Sequence, residues 1–590
     1  MLLEHDVIDD VTKDDGVQLD ERLQLSRPAL TAVTTAAAAG ALVACGGGGS
    51  GLSPAPAPSS PIPAPSFDSP PPSASITREQ ASRFLGQAAF GADAASIDQV
   101  KAAGYAAWLD QQFTLPRGAG RLDYLYAKGF NAVENKNSRN GIANSLWHHL
   151  LANPDVVRQR MTLALSEIVV VSVSGIAAIS FKAFSAATFM DILEANAFGN
   201  YRTLLDQVST STAMGSFLTF RGNTKANATT GSMPDENYAR ELMQLFTIGL
   251  IELNIDGTPR LVNGKVAETY VQDDVSQMAR VFTGWDLDAT KPAGDSPERV
   301  KSPMAQIPAR HELGEKRFLT TVIPAGTDGV QSLKLALDTL MAHPNIGPFI
   351  GRQLIQRLVT SNPSPAYVAR VATVFNNNGA GGVGGVKGDL KATLKAVLLD
   401  DEARNTAGLA DPAFGKLREP LVRFIQWARF AKVGSTDDLW RIGDTADPAS
   451  RLGQSPMNAP SVFNFFRPGY VPSSSALGGR TVPELQITSE TSVAGYVNYM
   501  QQVVSGGGNL GASSGITRDY ATLLALTNDS ALLLAELNVL LAAGQLSATT
   551  LAPLKAALDT IAVTAPAGQL NRLYAALTLV MAAPEYITQK

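Results

Sequence analysis

Positions 232–285 gather carboxylates, guanidiniums and amides at spacings that suit proton transfer and anion binding. Wound at 100° per residue, Glu236, Asn237, Arg240, Glu241 and Gln244 fall within an arc of roughly 140°, with Tyr238, Leu242, Leu245 and Phe246 opposite. One side of such a helix packs. The other offers acids as general acid or base and a guanidinium fork for an anion. Farther on, Asp273 stands seven residues before Arg280 on one face, Asp274 adds a second acid, and Val275, Met278, Ala279 and Phe282 form the apolar stripe. The plain alternative is a solvated face, in which Glu236 and Arg240 form an i,i+4 pair contributing about 0.3–0.5 kcal/mol.

Two further residues have the chemistry for a site. His311-Glu312-Leu313-Gly314-Glu315 opens like a zinc-protease helix, but Glu315 occupies the fifth position, where a second His is required. His311 is then a loop-borne ligand or acid/base group, or a loop-capping side chain. Glu167 lies in an almost wholly apolar run, so burial would raise its pKa and make it a proton donor unless Arg158 or Arg160 pairs with it. The ion pair is the favoured reading. His148 and His149 are adjacent and diverge on a helix, which works against a shared metal, and His343 precedes a proline at a helix boundary. Gly379-Ala380-Gly381-Gly382-Val383-Gly384 and Gly511-Ala512-Ser513-Ser514-Gly515 satisfy nucleotide-loop and nucleophile-elbow patterns without the preceding strand that either needs.

The elements that would position these groups are mostly helical. Ser232 with Asp235 reads as a capping box opening a helix that stops at Gly249, and Asn263-Gly264 between β-prone runs predicts a type I′ hairpin that turns the chain back. Together they bring Glu236, Arg240, Glu241, Asp274 and Arg280 into one polar cluster between two helices. A second capping box, Thr77 with Gln80, starts another helix. Helical periodicity continues over 153–173, 332–340, 348–359, 366–375, 390–399, 420–430, 520–541 and 570–581. Apart from the hairpin, 317–323 alone suggests β-structure. The fold class is mainly α: a large multi-helix globular domain with one or two small β-hairpins, spanning 76–590, with a weaker break at 505–515.

These residues resemble a bacterial family known as domain of unknown function 1800. Its pattern Asn-Glu-Asn-x-Ala-Arg-Glu-Leu is matched by Asp235-Glu236-Asn237-Tyr238-Ala239-Arg240-Glu241-Leu242, followed by Tyr270, Asp274-Val275, Ala279-Arg280 and Thr283-Gly284-Trp285. Arg83-Phe84-Leu85, Phe90-Gly91, His311 with Gly314 and Lys316, His343-Pro344, 416–420 and Ser461-Val462-Phe463-Asn464 are similar as well. Two departures stand out: Asp235 replaces the usual Asn, and 160–172 lacks the Trp and His of many relatives. The resemblance implies no reaction. It does imply a partner, an exported sulfatase-like protein.

The chain has 590 residues, 45% of them hydrophobic, enough for a substantial core. The formal charge is 48 − 53 = −5; positions 1–44 hold eight acids and three bases, so the remainder balances and carries no basic footprint for nucleic acid. Its one cysteine, Cys45, follows Leu42-Val43-Ala44 at the end of an apolar run, 29–44, too short for an easy membrane span. We read 1–44 as a signal peptide with a lipobox and Cys45 as a lipid attachment point; simple cleavage or a short membrane anchor are the alternatives. Twin-arginine and general export both stay open, because Ser26-Arg27-Pro28 lacks a second Arg. Of the 30 residues 46–75, 22 are Gly, Pro or Ser, a composition that cannot bury enough apolar surface to fold and serves as a disordered tether, 45–75.

The resulting expectation is a lipid-anchored protein of the bacterial envelope, on the periplasmic side or at the outer membrane. Two functions fit it: a binding or scaffold protein, or an exported hydrolase. The hydrolase would use Glu236, Glu241, Asp274 and His311 as acid/base or metal groups, with Arg240 and Arg280 holding an anionic substrate. Cofactor and metal remain unassigned by the sequence.

Overall fold

Thr77 caps the first described helix, Arg78–Ala88: its hydroxyl accepts from the Gln80 amide at 3.2 Å while the Gln80 side chain accepts from the Thr77 amide at 2.9 Å. The computed structural model describes residues 75–590 apart from 178, 380–384 and 474–476. Cys45, the lipobox, positions 46–74 of the tether and most of the 379–384 glycine string lie outside the described residues.

The architecture is mainly α, 52% helical. Among the described residues, strands occur as five antiparallel two-stranded pairs, more than the one or two hairpins expected. Leu261–Val262 with Lys265–Val266 and Lys316–Phe318 with Thr321–Ile323 are the two hairpins the sequence predicts. Others join distant segments, as where Lys416–Leu417 pairs with Thr588–Gln589 and Gly434–Ser435 with Ile516–Thr517. Pairs of two residues carry no alternation to read.

Helices form where apolar residues recur on one face. Ile346–Leu358 and Pro365–Asn376 pack against each other and bury Ile350, Leu354, Val371 and Phe375. Two expected helices are shorter. The one at 153–173 ends at Ser166, and Glu167 is its C-cap, because the β-branched run after it turns away: the Val173 amide donates to Met457 O at 2.8 Å. The span 520–541 splits into Ala521–Leu524 and Ser530–Ala542, since Asp529 caps the second helix through the Ala531 and Leu532 amides. The segment 505–515 does not divide the described residues, which all belong to one unit.

Candidate functional site

The first motif helix runs Asn237–Gln244, four residues later than a cap at Ser232 implies. Ser232 closes a turn with Asn227 instead; the cap position is Glu236, and the preceding Asp235 takes the Asn237 amide on Oδ1 at 2.8 Å. Asp235 is fixed in turn by the Thr219 hydroxyl at 2.8 Å. Tyr238 anchors the inner face: fully buried, its ring stacks 4.2 Å from Phe220, and its hydroxyl meets Ser209 Oγ at 2.7 Å. The chain then leaves through Gly249 (φ +73°), where a Cβ would lie 2.7 Å from the Phe349 ring, so only glycine fits.

The Asn263-Gly264 turn has φ of +54° and +76°, as type I′ requires. Behind it the chain returns as the helix Gln272–Val281, which packs on the first and buries Val275, Met278, Ala279 and Phe282.

The predicted single cluster is three separate arrangements. In the first, Glu236 takes Arg240 Nη2 at 3.0 Å, Gln272 Nε2 at 2.8 Å and Ser276 Oγ at 2.6 Å, while Arg240 also donates to Gln272 Oε1 at 3.0 Å. These bonds outweigh burial and hold the Glu236 carboxyl below its usual range. In the second, Asp274 accepts the Val271 amide at 2.8 Å and the Leu319 amide at 2.6 Å, so it caps the second helix and ties it to the Lys316–Phe318 strand. In the third, Arg280 donates to Gln277 Oε1 at 2.7 Å and Glu315 O at 2.8 Å, with Glu312 at 3.6 Å. Glu241, expected on the outer face, is buried; Oε2 has no partner among the described residues, and burial raises its pKa against the pull of Arg240. Asn237 stays exposed, with Nδ2 donating to Thr219 Oγ1 at 3.4 Å.

His311 is a buried tie. Nδ1 lies 2.9 Å from Thr283 O, a carbonyl that can only accept, so Nδ1 carries the proton. Burial lowers its pKa, and Nε2 sits 3.4 Å from Ser332 Oγ. Thr283 also accepts the Glu312 amide at 2.9 Å, and Gly284 admits no side chain because a Cβ would stand 2.9 Å from Ile307 O. Thr-Gly-Trp therefore joins the second helix to the His311 loop. Next to it Lys316 is fully buried, its ammonium driven down to about 8 by desolvation and by Arg280.

Glu167 has a partner the sequence did not indicate. Arg158 pairs with Asp155 at 3.0 Å, and Arg160 Nη2 donates to Arg357 O at 2.8 Å. The partner is Arg357: Nε is 3.6 Å from the Glu167 carboxylate and Nη2 donates to Glu167 O at 2.8 Å. Around it lie Lys416, 2.9 Å from Glu484 and 3.4 Å from Glu419, and Gln454, which donates to Glu419 at 2.8 Å. All of these side chains are buried. Burial and the neighbouring Glu419 push the Glu167 carboxyl well up, whereas Lys416 and Arg160 keep Glu419 below its ordinary range despite burial. Both Glu167 oxygens lack a donor, and the group they face is the Glu419 carboxyl, so a proton held on Glu167 makes that contact a hydrogen bond. A crevice of about 20 Å³ reaches Glu167 past Ser455 and Asn464, whose Nδ2 is also unpartnered.

The remaining histidines diverge as expected: His149 meets Glu194 at 3.1 Å, His148 faces Asp438 at 3.6 Å, and His343 caps Gly329–Ala342. Gly511–Gly515 forms a tight 3₁₀ turn with no strand leading into it. Among the described residues no three His, Cys, Asp or Glu side chains converge as metal ligands.

A mainly helical body with paired motif helices and a buried six-charge network defines the class of protein. The family model "Protein of unknown function (DUF1800)" matches residues 83–588, and the chain belongs to that family. No curated protein and no solved structure matches it.

Proposed function

We propose that this protein is a binding or scaffold protein of the cell envelope, anchored by lipid at Cys45, which docks an exported sulfatase-like protein on its Leu261–Val266 hairpin. The observation that carries this reading is the exposed apolar surface of the hairpin. Leu261 and Val266 pair across the strands on one face and are 61% and 48% exposed, with Leu250, Ile255, Val262 and Val271 exposed nearby. An apolar group of this kind on an otherwise well-packed body is a docking feature. Its base is stiff: the Glu252 amide donates to Ala267 O at 2.8 Å, the Arg260 amide to Glu252 O at 2.8 Å, and Asn345 Nδ2 to Ile251 O at 2.7 Å. The motif charges support the same reading, because Glu236, Arg240, Asp274 and Arg280 spend their hydrogen bonds on one another's helices and loops.

The test is interferometry between the full chain and an exported sulfatase-like protein from the same bacterium. Leu261→Asp with Val266→Asp should weaken binding about tenfold or more. Equal affinity for parent and variant, or no binding by the parent, rejects the reading.

Glu167 favours a second reading, an exported hydrolase. A carboxyl that keeps its proton at the end of a crevice, beside Asn464 and Arg357, has the character of a general acid. That reading requires a hydrolytic activity in the parent that a folded Glu167→Gln variant lacks.

A further inference from the structure

A cavity of about 280 Å³ lies among the helices Lys182–Ala195, Tyr201–Thr210, Thr212–Phe217 and Glu298–Lys301, and no residue of the motif helices or of the Glu167 network lines it. We propose that it is a binding site for a neutral, hydroxyl-rich molecule the size of one sugar ring.

The wall chemistry selects that class. Thr188, Thr210, Ser211, Thr212 and Ser302 line the cavity, and each commits its hydroxyl proton to a backbone carbonyl at 2.8 to 3.0 Å. Ser211 Oγ already takes the Met214 amide at 3.2 Å, but the other four oxygens keep acceptor capacity, and the Gln207 side chain adds an amide at the wall, so the lining suits a ligand with several hydroxyl donors. Ser185 is the exception. It is 1% exposed, lines the cavity and has no partner among the described residues, so its hydroxyl is free to donate as well as accept. A buried hydroxyl left unbonded costs free energy that a ligand hydroxyl would recover. Ile192, Val300 and Pro303 supply apolar surface for the C–H face of a ring.

Charge excludes the other classes. Lys301 at the wall is engaged by Glu298 at 2.8 Å and lies 4.9 Å over the Tyr126 ring, so no free cation waits for a phosphate or carboxylate. Among the residues that line the cavity there is no carboxylate to pair with an ammonium ligand. A pyranose, with several O–H donors, one apolar face and no charge, meets all three conditions.

The experiment is saturation-transfer NMR and calorimetry on the full chain with glucose, galactose, mannose and N-acetylglucosamine, with inorganic phosphate and propylamine as controls. At least one sugar should bind saturably and the controls should not. Ser185→Ala removes only an unbonded hydroxyl, so it should leave the thermal transition in place and weaken sugar binding about two- to tenfold. Thr188→Phe fills the space and should abolish binding; should that variant not fold, Ser185→Ala alone decides. No saturable sugar binding by the parent, equal affinity in Ser185→Ala, or phosphate binding in place of sugar would overturn the proposal, and the cavity would then hold water only.

Discussion

Ser276 on the second motif helix donates a 2.6 Å hydrogen bond to Glu236 on the first. This contact, with Gln272 beside it, sets the angle at which the two helices meet. It also explains why Glu236 holds its charge without lying in a pocket. Three donors converge on one carboxylate, two on Oε2 and one on Oε1.

The helix interface should behave as a coupled unit. Glu236→Ala and Ser276→Ala, measured singly and together by urea unfolding, should show an interaction energy of about 0.5–1.5 kcal/mol. Arg240→Ala and Asp274→Ala share no partner and should add within about 0.5 kcal/mol. Strong coupling between Arg240 and Asp274 would restore the single cluster that the sequence suggested.

Much of this was legible beforehand. The Asn263-Gly264 turn, the apolar stripe from Val275 to Phe282 and the Thr77 cap follow from local rules, and each is found where the sequence places it. The start of the first helix was misread because Ser232 and Asp235 fit a capping box equally well as a pattern, while the Thr219 contact that fixes Asp235 comes from another segment. Glu167 marks the limit more sharply. Its apolar surroundings announce a buried acid, but Arg357 is 190 residues away in sequence, and nothing near Glu167 names it. Lys416, Glu419 and Glu484 were likewise invisible as a group, since charge pairing across a core has no period. Arg357 falls on the buried stripe of the helix Ile346–Leu358, three residues after Leu354 and seven after Ile350, and that spacing is the signal that could have found it.

The buried network gives stability a definite pH dependence. The folded protein keeps a proton on Glu167 that the unfolded chain releases in the ordinary carboxylate range, so this residue's contribution is complete below that range and is lost as pH rises above it. Glu419 acts oppositely: held low by Lys416 and Arg160, it stabilises above the ordinary range and loses that effect as pH falls. Glu167→Gln should therefore flatten the decline of the melting temperature as pH rises out of the ordinary carboxylate range, and leave the limb below that range unchanged. Parallel curves for parent and variant above that range would show that Glu167 is ionised in the fold.

Removing the cation should be far more damaging than neutralising the acid. Arg357→Ala strands Glu419 and Glu484 with Lys416 and Arg160 alone and should cost about 3–5 kcal/mol in urea unfolding. A loss below about 1 kcal/mol would mean that water reaches the network.

The proposed lipid anchor is Cys45. Cys45→Ser should move the protein from the membrane fraction to the soluble fraction or leave an uncleaved precursor, read by fractionation and intact mass. A variant as membrane-bound and as short as the parent would refute lipid attachment.

Docking on the hairpin is open to amide hydrogen exchange in the presence of an exported sulfatase-like protein. Amides of 250–271 should slow on complex formation, while those of the Asn237–Gln244 and Gln272–Val281 helices should change little. A complex that leaves 250–271 as fast as in the free protein, or protects only the crevice at Ser455 and Asn464, would contradict it.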